Sequence, residues 1–170
     1  MYSYTYDEET GGILLNSTPT VFSKEPRPVY ALELDLLGFD KYWKYDKQSD
    51  TPYMWAESVQ YWYRGKQVAK LKGGNLYEAP EIIIPEDSEG NPVQPEPDGG
   101  MLRPVDIEGM VNKNLDLLDI IENTTVKKIV AIYEKYKSKL DIFHVAFSGG
   151  KDSAVLLNLV KRALPKGSFV

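Results

Sequence analysis

Ile142-Phe143-His144-Val145-Ala146-Phe147-Ser148-Gly149-Gly150-Lys151-Asp152-Ser153 joins a short apolar run to a helical pattern through a loop of small and polar residues. Residues 142–147 read as a buried β-strand, and Ala154 to Leu164 repeats apolar residues at helical spacing. A glycine-rich turn in that context aims backbone N–H groups, and the positive end of the helix dipole, at an anion. The order of residues excludes two better-known loops. A Walker loop needs four residues between its first glycine and Gly-Lys-Ser/Thr, whereas Lys151 is followed here by Asp152. A dinucleotide fingerprint needs a third glycine that is missing.

Each residue type in the loop suits a bound phosphate. Gly149 and Gly150 let the main chain approach an oxyanion closely. Ser148 and Ser153 offer hydroxyl donors, and Lys151 a compact positive charge. Asp152 is the odd member, because a carboxylate beside polyphosphate is repulsive unless it caps the helix or holds Mg²⁺. The competing structural reading is an ordinary strand-to-helix turn, with Ser148 or Asp152 as cap and the glycines there only for tight geometry. Two hydroxyls, two glycines, a lysine and an aspartate together favour the phosphate.

Outward from the loop, the whole chain is 170 residues with 42% hydrophobic content, enough for one medium domain or two small ones. Its net charge of −5 argues against a general nucleic-acid-binding surface. There is no cysteine and one histidine, which excludes disulfides, thiolate metal sites, a cysteine nucleophile and a multi-histidine metal site. Met1 to Asp7 is neither basic nor apolar, and no apolar run reaches the roughly 20 residues that span a bilayer. The chain reads as soluble and cytoplasmic.

Three regions differ in texture. Residues 1–85 form a β-rich domain holding 10 of the 12 tyrosines and all three tryptophans. Strands are expected over Gly12–Asn16, Ser58–Tyr63 and Gln67–Leu71, the last two forming a hairpin through Arg64-Gly65-Lys66, with another over Glu81–Pro85. Pro28–Leu36 reads as a strand or a short helix. Residues 86–104, acidic and rich in Pro and Gly, read as a linker or long exposed loop. Residues 105–170 switch to a period of 3.6 and end in the strand, loop and helix of an α/β domain. Asn123-Thr124-Thr125 interrupts the helical pattern with cap-forming residues, so two helices or one broken helix are expected, Thr124 or Thr125 capping the second. The overall class is α+β.

Other residues carry weaker signals. Tyr42, Trp43, Tyr45, Tyr53, Trp55, Tyr61, Trp62 and Tyr63 read as core rather than as a base-stacking platform. Arg64, Lys66, Lys70 and Lys72 read as a solvated hairpin face, although they would suit a tRNA. His144 reads as a sheet histidine rather than a base, and Asp40, Asp46, Asp50 and Glu57 lack metal-ligand spacing. No catalytic residue and no metal ligand set are assigned.

Residues 146–157 resemble the pyrophosphate loop of the PP-loop superfamily, most closely that of the phosphoadenosine phosphosulfate reductase family and its sulfate adenylyltransferase relatives. Residues 25–29, 33–38 and 61–65 resemble the amino-terminal region of long microbial proteins of that family. The resemblance implies an adenine-nucleotide α-hydrolase-like α/β fold that takes ATP or phosphoadenosine phosphosulfate through Ser148, Gly149, Gly150, Lys151, Asp152 and Ser153. It also implies sulfonucleotide reduction or, alternatively, adenylation with loss of pyrophosphate, as in sulfate activation or tRNA thiolation, which would require Mg²⁺. The family's reductases use a cysteine near the carboxy terminus, and none occurs here; 17 residues follow Ser153. The expectation is therefore the amino-terminal part of a longer enzyme, its nucleotide domain truncated and inactive without the rest of the polypeptide. A nucleotide sensor without catalysis, or an RNA- or partner-binding module in the first 85 residues, are the alternatives from other classes.

Overall fold

In the computed structural model, residues 2–19 and 25–170 are described. Met1, at the start of the region read above for a leader, and Thr20–Lys24, within the expected β-rich domain, lie outside them. The elements in chain order are β1 (Tyr2–Tyr6), β2 (Ile13–Pro19), β3 (Arg27–Val29), α1 (Ala31–Leu37), β4 (Met54–Glu57), β5 (Gln60–Tyr63), β6 (Lys66–Lys72), β7 (Glu81–Ile83), α2 (Ile107–Tyr136) and α3 (Lys151–Ala163). The architecture is mixed α and β, with one two-stranded and one five-stranded antiparallel sheet. Among the described residues no helix is long and apolar enough to cross a membrane. The chain divides into two compact units, 1–114 and 115–170.

The first unit is organised by a meander, β3-β4-β5-β6-β7, whose neighbours in sequence are neighbours in the sheet. Arg64 and Gly65 both take positive φ, 45° and 84°, the conformation that a two-residue hairpin loop needs to match strand twist. Arg64 is held in that unusual conformation by donating to the carbonyls of Glu8 and Glu9, at 2.6 and 2.7 Å.

Both faces of the meander are covered. On one, Ala56, Tyr61 and Ala69 lie side by side, and the small alanines leave room for large rings. Phe39 packs on Tyr61 and stacks with Trp43, while the Tyr61 hydroxyl donates to Glu33 of α1 at 2.7 Å. Glu33 is also gripped by both terminal nitrogens of Arg27, a two-pronged pairing that ties α1 to β3. On the other face, Trp55 and Trp62 are partners across β4 and β5. The β1–β2 hairpin lies over them: Tyr6 stacks on Trp62, the Trp55 indole donates to the Gly11 carbonyl at 2.9 Å, and Tyr4 and Tyr6 both donate to Glu57. Burial first, then the Glu57 carboxylate, pushes the Tyr4 hydroxyl up to about 12.

Residues 86–104 form a long, largely exposed loop that is fastened to the first unit. Leu102 is buried in the core and donates to the Lys44 carbonyl at 2.7 Å, and Val105 donates to that of Pro52. Glu96 is almost fully buried, accepting from the Tyr63 hydroxyl and from Arg103. A buried leucine, a buried carboxylate, the Lys44–Met101 bridge and the Arg103 N–H, which donates to the Tyr63 hydroxyl at 3.0 Å, fasten the stretch, and composition averaged over it does not register them. The first compact unit extends through Asn114.

The expected helix break does not occur. α2 runs unbroken over 30 residues, and Thr125 Oγ1 donates to the Ile121 carbonyl one turn back, satisfying itself inside the helix instead of capping a new one. Its start is fastened to the hairpin. Buried Asn114 accepts from the Leu15 N–H at 2.7 Å and donates to the carbonyls of Ile13 and Met110 at 2.8 Å, so its amide stands in for a strand partner of β2. Lys113 reaches Asp7 and Glu9 at 2.8 and 2.6 Å.

Asn114→Ala leaves a buried N–H and carbonyl of β2 unpaired and is expected to cost about 2–3 kcal/mol, measured by denaturant unfolding. Burial opposes ionisation of Asp7, but hydrogen bonds from Lys113 and Thr10 outweigh it and hold the carboxyl at about 2, below its ordinary 3.8. A lowered carboxylate stabilises the fold above its unfolded value and loses that contribution as pH falls through the folded one. Stability is expected to drop between about pH 4 and about pH 2, and Lys113→Ala to shrink that drop, as followed by circular dichroism.

Candidate functional site

The second unit places the loop at the start of α3. Gly150 is the residue before the helix, with φ −82° and ψ 164°, and no side chain caps the helix end. Ser148 and Ser153 converge, their hydroxyl oxygens 3.2 Å apart, and Ser153 donates to the Gly150 carbonyl at 2.9 Å. The Gly150 N–H faces Ser148 Oγ at 3.4 Å. These bonds close the loop on itself, so its shape is set by its own backbone and hydroxyls.

The two glycines are there for different reasons. Gly149 has φ +80°, a conformation costly for any residue with a Cβ, in open surroundings. Gly150 lies in ordinary extended territory, and a Cβ built there would meet only Ser148 Oγ, at 3.5 Å. Nothing in the fold requires glycine at 150.

Asp152 does not cap. It sits in the first turn of α3 with a side chain 93% exposed, 3.7 Å from Lys151 Nζ. A carboxylate in a first turn gains from the helix dipole, yet this one is free to reach outward. Lys151 is also largely exposed. The α3 helix carries Lys161 and Arg162 at its other end, the arrangement of charge the dipole favours. Arg162 pairs with Glu122 of α2 at 2.6 Å, and Leu159 and Val160 supply the buried stripe of α3.

Residues 142–147 form neither helix nor strand, which corrects the buried strand expected from sequence. Ile142 and Phe147 are 60% and 58% exposed. Phe143 packs against Tyr133 of α2, and Phe143 and Val145 share an apolar recess with Ile129, Val160 and Leu164. The segment does make two main-chain bonds that sequence reading missed: Val145 donates to the Val170 carbonyl at 2.7 Å, and Val170 donates to that of Phe143 at 2.9 Å. Bonds to residues either side of His144 from a single facing residue are the spacing of a parallel ladder. Pairing at this single point does not bury the segment, and its apolar run stands exposed. His144 itself is exposed.

Among the described residues no group of three or more His, Asp or Glu is placed to hold a metal ion. Of the aromatic residues read as core, Trp43, Tyr45, Tyr53, Trp55, Tyr61 and Tyr63 are buried, Trp62 is half-buried under Tyr6, and Tyr42 is exposed. Comparison with protein-family models, curated proteins and solved structures finds no match to this chain.

The different roles of the glycines are separable by stability. Gly149→Ala is expected to cost about 1–2 kcal/mol and Gly150→Ala less than about 0.5 kcal/mol, compared by thermal unfolding of the second unit's helical signal.

Proposed function

We propose that residues 148–153 bind the phosphates of an adenine nucleotide and that the chain is part of a PP-loop enzyme, most like a phosphoadenosine phosphosulfate reductase. The observation that carries this reading is Gly150, a glycine in a conformation open to any residue, with room for a side chain, at the mouth of an uncapped helix. A missing Cβ that the fold does not need is explained by something outside the fold that approaches the main chain. The residues around it suit an oxyanion: two converging hydroxyls, an exposed lysine and the N–H groups of a helix start. The parallel spacing of the bonds between residues 143–145 and Val170 supports the α/β part of the reading, since strand, loop, helix and parallel return is how such a nucleotide domain is built.

A second reading, adenylation with release of pyrophosphate, draws on Asp152. With no capping role and an outward side chain, it is the loop carboxylate available to a divalent cation. A lone carboxylate suits Mg²⁺ only when the nucleotide phosphates supply further ligands. In that reading the cation would neutralise charge on the leaving pyrophosphate.

The test is calorimetry of ATP and of phosphoadenosine phosphosulfate on the full chain, with and without Mg²⁺. Binding is expected to weaken tenfold or more in Gly150→Ala and in Lys151→Ala, on the order of 1.4 kcal/mol, with folding unchanged by circular dichroism. Equal affinities in the parent and both variants would overturn the phosphate role. A requirement for Mg²⁺ that disappears in Asp152→Asn would favour adenylation over reduction.

A further inference from the structure

Charge is divided unevenly between the two units. Residues 1–114 hold eleven Lys and Arg against nineteen Asp and Glu, net −8, whereas residues 115–170 hold nine against six, net +3. An acidic chain therefore carries a basic unit, which the overall −5 conceals. Three of that unit's lysines gather where α2 and α3 end. One cavity of about 320 Å³ is lined by Lys137, Leu140 and Phe143, together with Gly167 and Phe169. A second, of about 290 Å³, is lined by Lys161, Leu164 and Lys166, and again by Gly167 and Phe169. Gly167 and Phe169 are common to both recesses of this groove, with Lys137 lining one and Lys161 and Lys166 lining the other.

The groove is distinct from the phosphate loop. Lys161 lies in the last turn of α3 and the loop precedes its first, so a 13-residue helix of about 20 Å separates them. Among the described residues no carboxylate lies within ion-pair distance of Lys161 or Lys166, while Lys137 pairs only with exposed Glu134. Such an exposed pair contributes little and is easily exchanged for a phosphate. Asp141 is the one acidic side chain lining the groove.

We infer that this groove binds single-stranded nucleic acid. An aromatic residue shared by two recesses, each lined by at least one lysine, suits a chain that alternates base and phosphate. The apolar lining accepts bases without reading their edges, so binding is expected to be tolerant of sequence. A purely acidic peptide would satisfy the lysines and leave Phe169 and Leu164 facing water.

The test is fluorescence anisotropy of the full chain with labelled oligouridylate and oligothymidylate of about 12 nucleotides. Binding is expected at about 50 mM salt and should weaken about tenfold by about 200 mM. The double variant Lys161→Glu, Lys166→Glu should lose tenfold or more. Phe169→Leu should weaken binding with its salt dependence kept, as expected when stacking rather than charge is removed. The control Lys70→Glu, Lys72→Glu makes the same change of net charge on the first unit and should bind like the parent. No binding at low salt would overturn the inference, as would equal loss in the control. Displacement by polyglutamate as effective as by unlabelled oligonucleotide would assign the groove to acidic peptides instead.

Discussion

Covering both faces of a short antiparallel meander is the constraint on which the first unit depends. A five-stranded sheet with aromatic residues on either side exposes far too much apolar surface to stand alone, so each face recruits a layer. Tyr61 draws down α1 and the Phe39–Trp43 stack. Trp55 and Trp62 draw down the β1–β2 hairpin. The polar tips of these rings then dictate where carboxylates must lie, and Glu33, Glu57 and Glu96 each accept from at least one tyrosine hydroxyl. Aromatic burial and carboxylate placement are thus one solution: a buried Tyr needs an acceptor, and the acceptor brings its own element with it.

The second unit solves a different problem. Its 142–147 segment is apolar enough for a sheet interior, but it is paired along one edge at a single point, and several of its side chains meet water. Packing there comes from helices: the Tyr133–Phe143 contact, the buried residues of α3 and the Arg162–Glu122 ion pair. The proposed phosphate loop sits where this unit spends least on packing. Its geometry is held by local bonds among Ser148, Gly150 and Ser153. Such a loop keeps its shape without help from a surrounding core, which suits an anion site formed chiefly of backbone.

Much of the architecture could be read from local signals. Arg64-Gly65 between two alternating runs marks a hairpin because positive φ at two successive positions favours a glycine at the second. The 148–153 loop stands out for a related reason: glycine, serine and lysine lie between a strand-like apolar run and a helical one. β1 and β4 were missed although each pairs with the next strand: β1 turns into β2 through a loop closed by Asp7 and Thr10, and β4 turns into β5 at Ser58, whose φ of 57° no glycine marks. The strap over residues 86–104 has the composition of a linker, and contacts such as those of Glu96, Leu102 and Arg103 make it part of the unit. Thr125 shows the converse, a cap-forming residue overruled by a helix already propagating through it.

By itself the sequence determined the mixed class, the β5–β6 hairpin, the helical region after residue 106 and the small, polar make-up of the 148–153 loop, because each follows from neighbours within a few residues. Tertiary structure decided the rest. It showed that Gly149 answers to backbone conformation while Gly150 does not, a distinction invisible in the letters Gly-Gly. It denied Asp152 the helix cap and left it facing outward. It also placed Lys137 in one recess, and Lys161 and Lys166 in another, that share Gly167 and Phe169. Torsion angles, free space and the convergence of distant side chains depend on how the whole chain closes on itself, and one-dimensional spacing does not contain them.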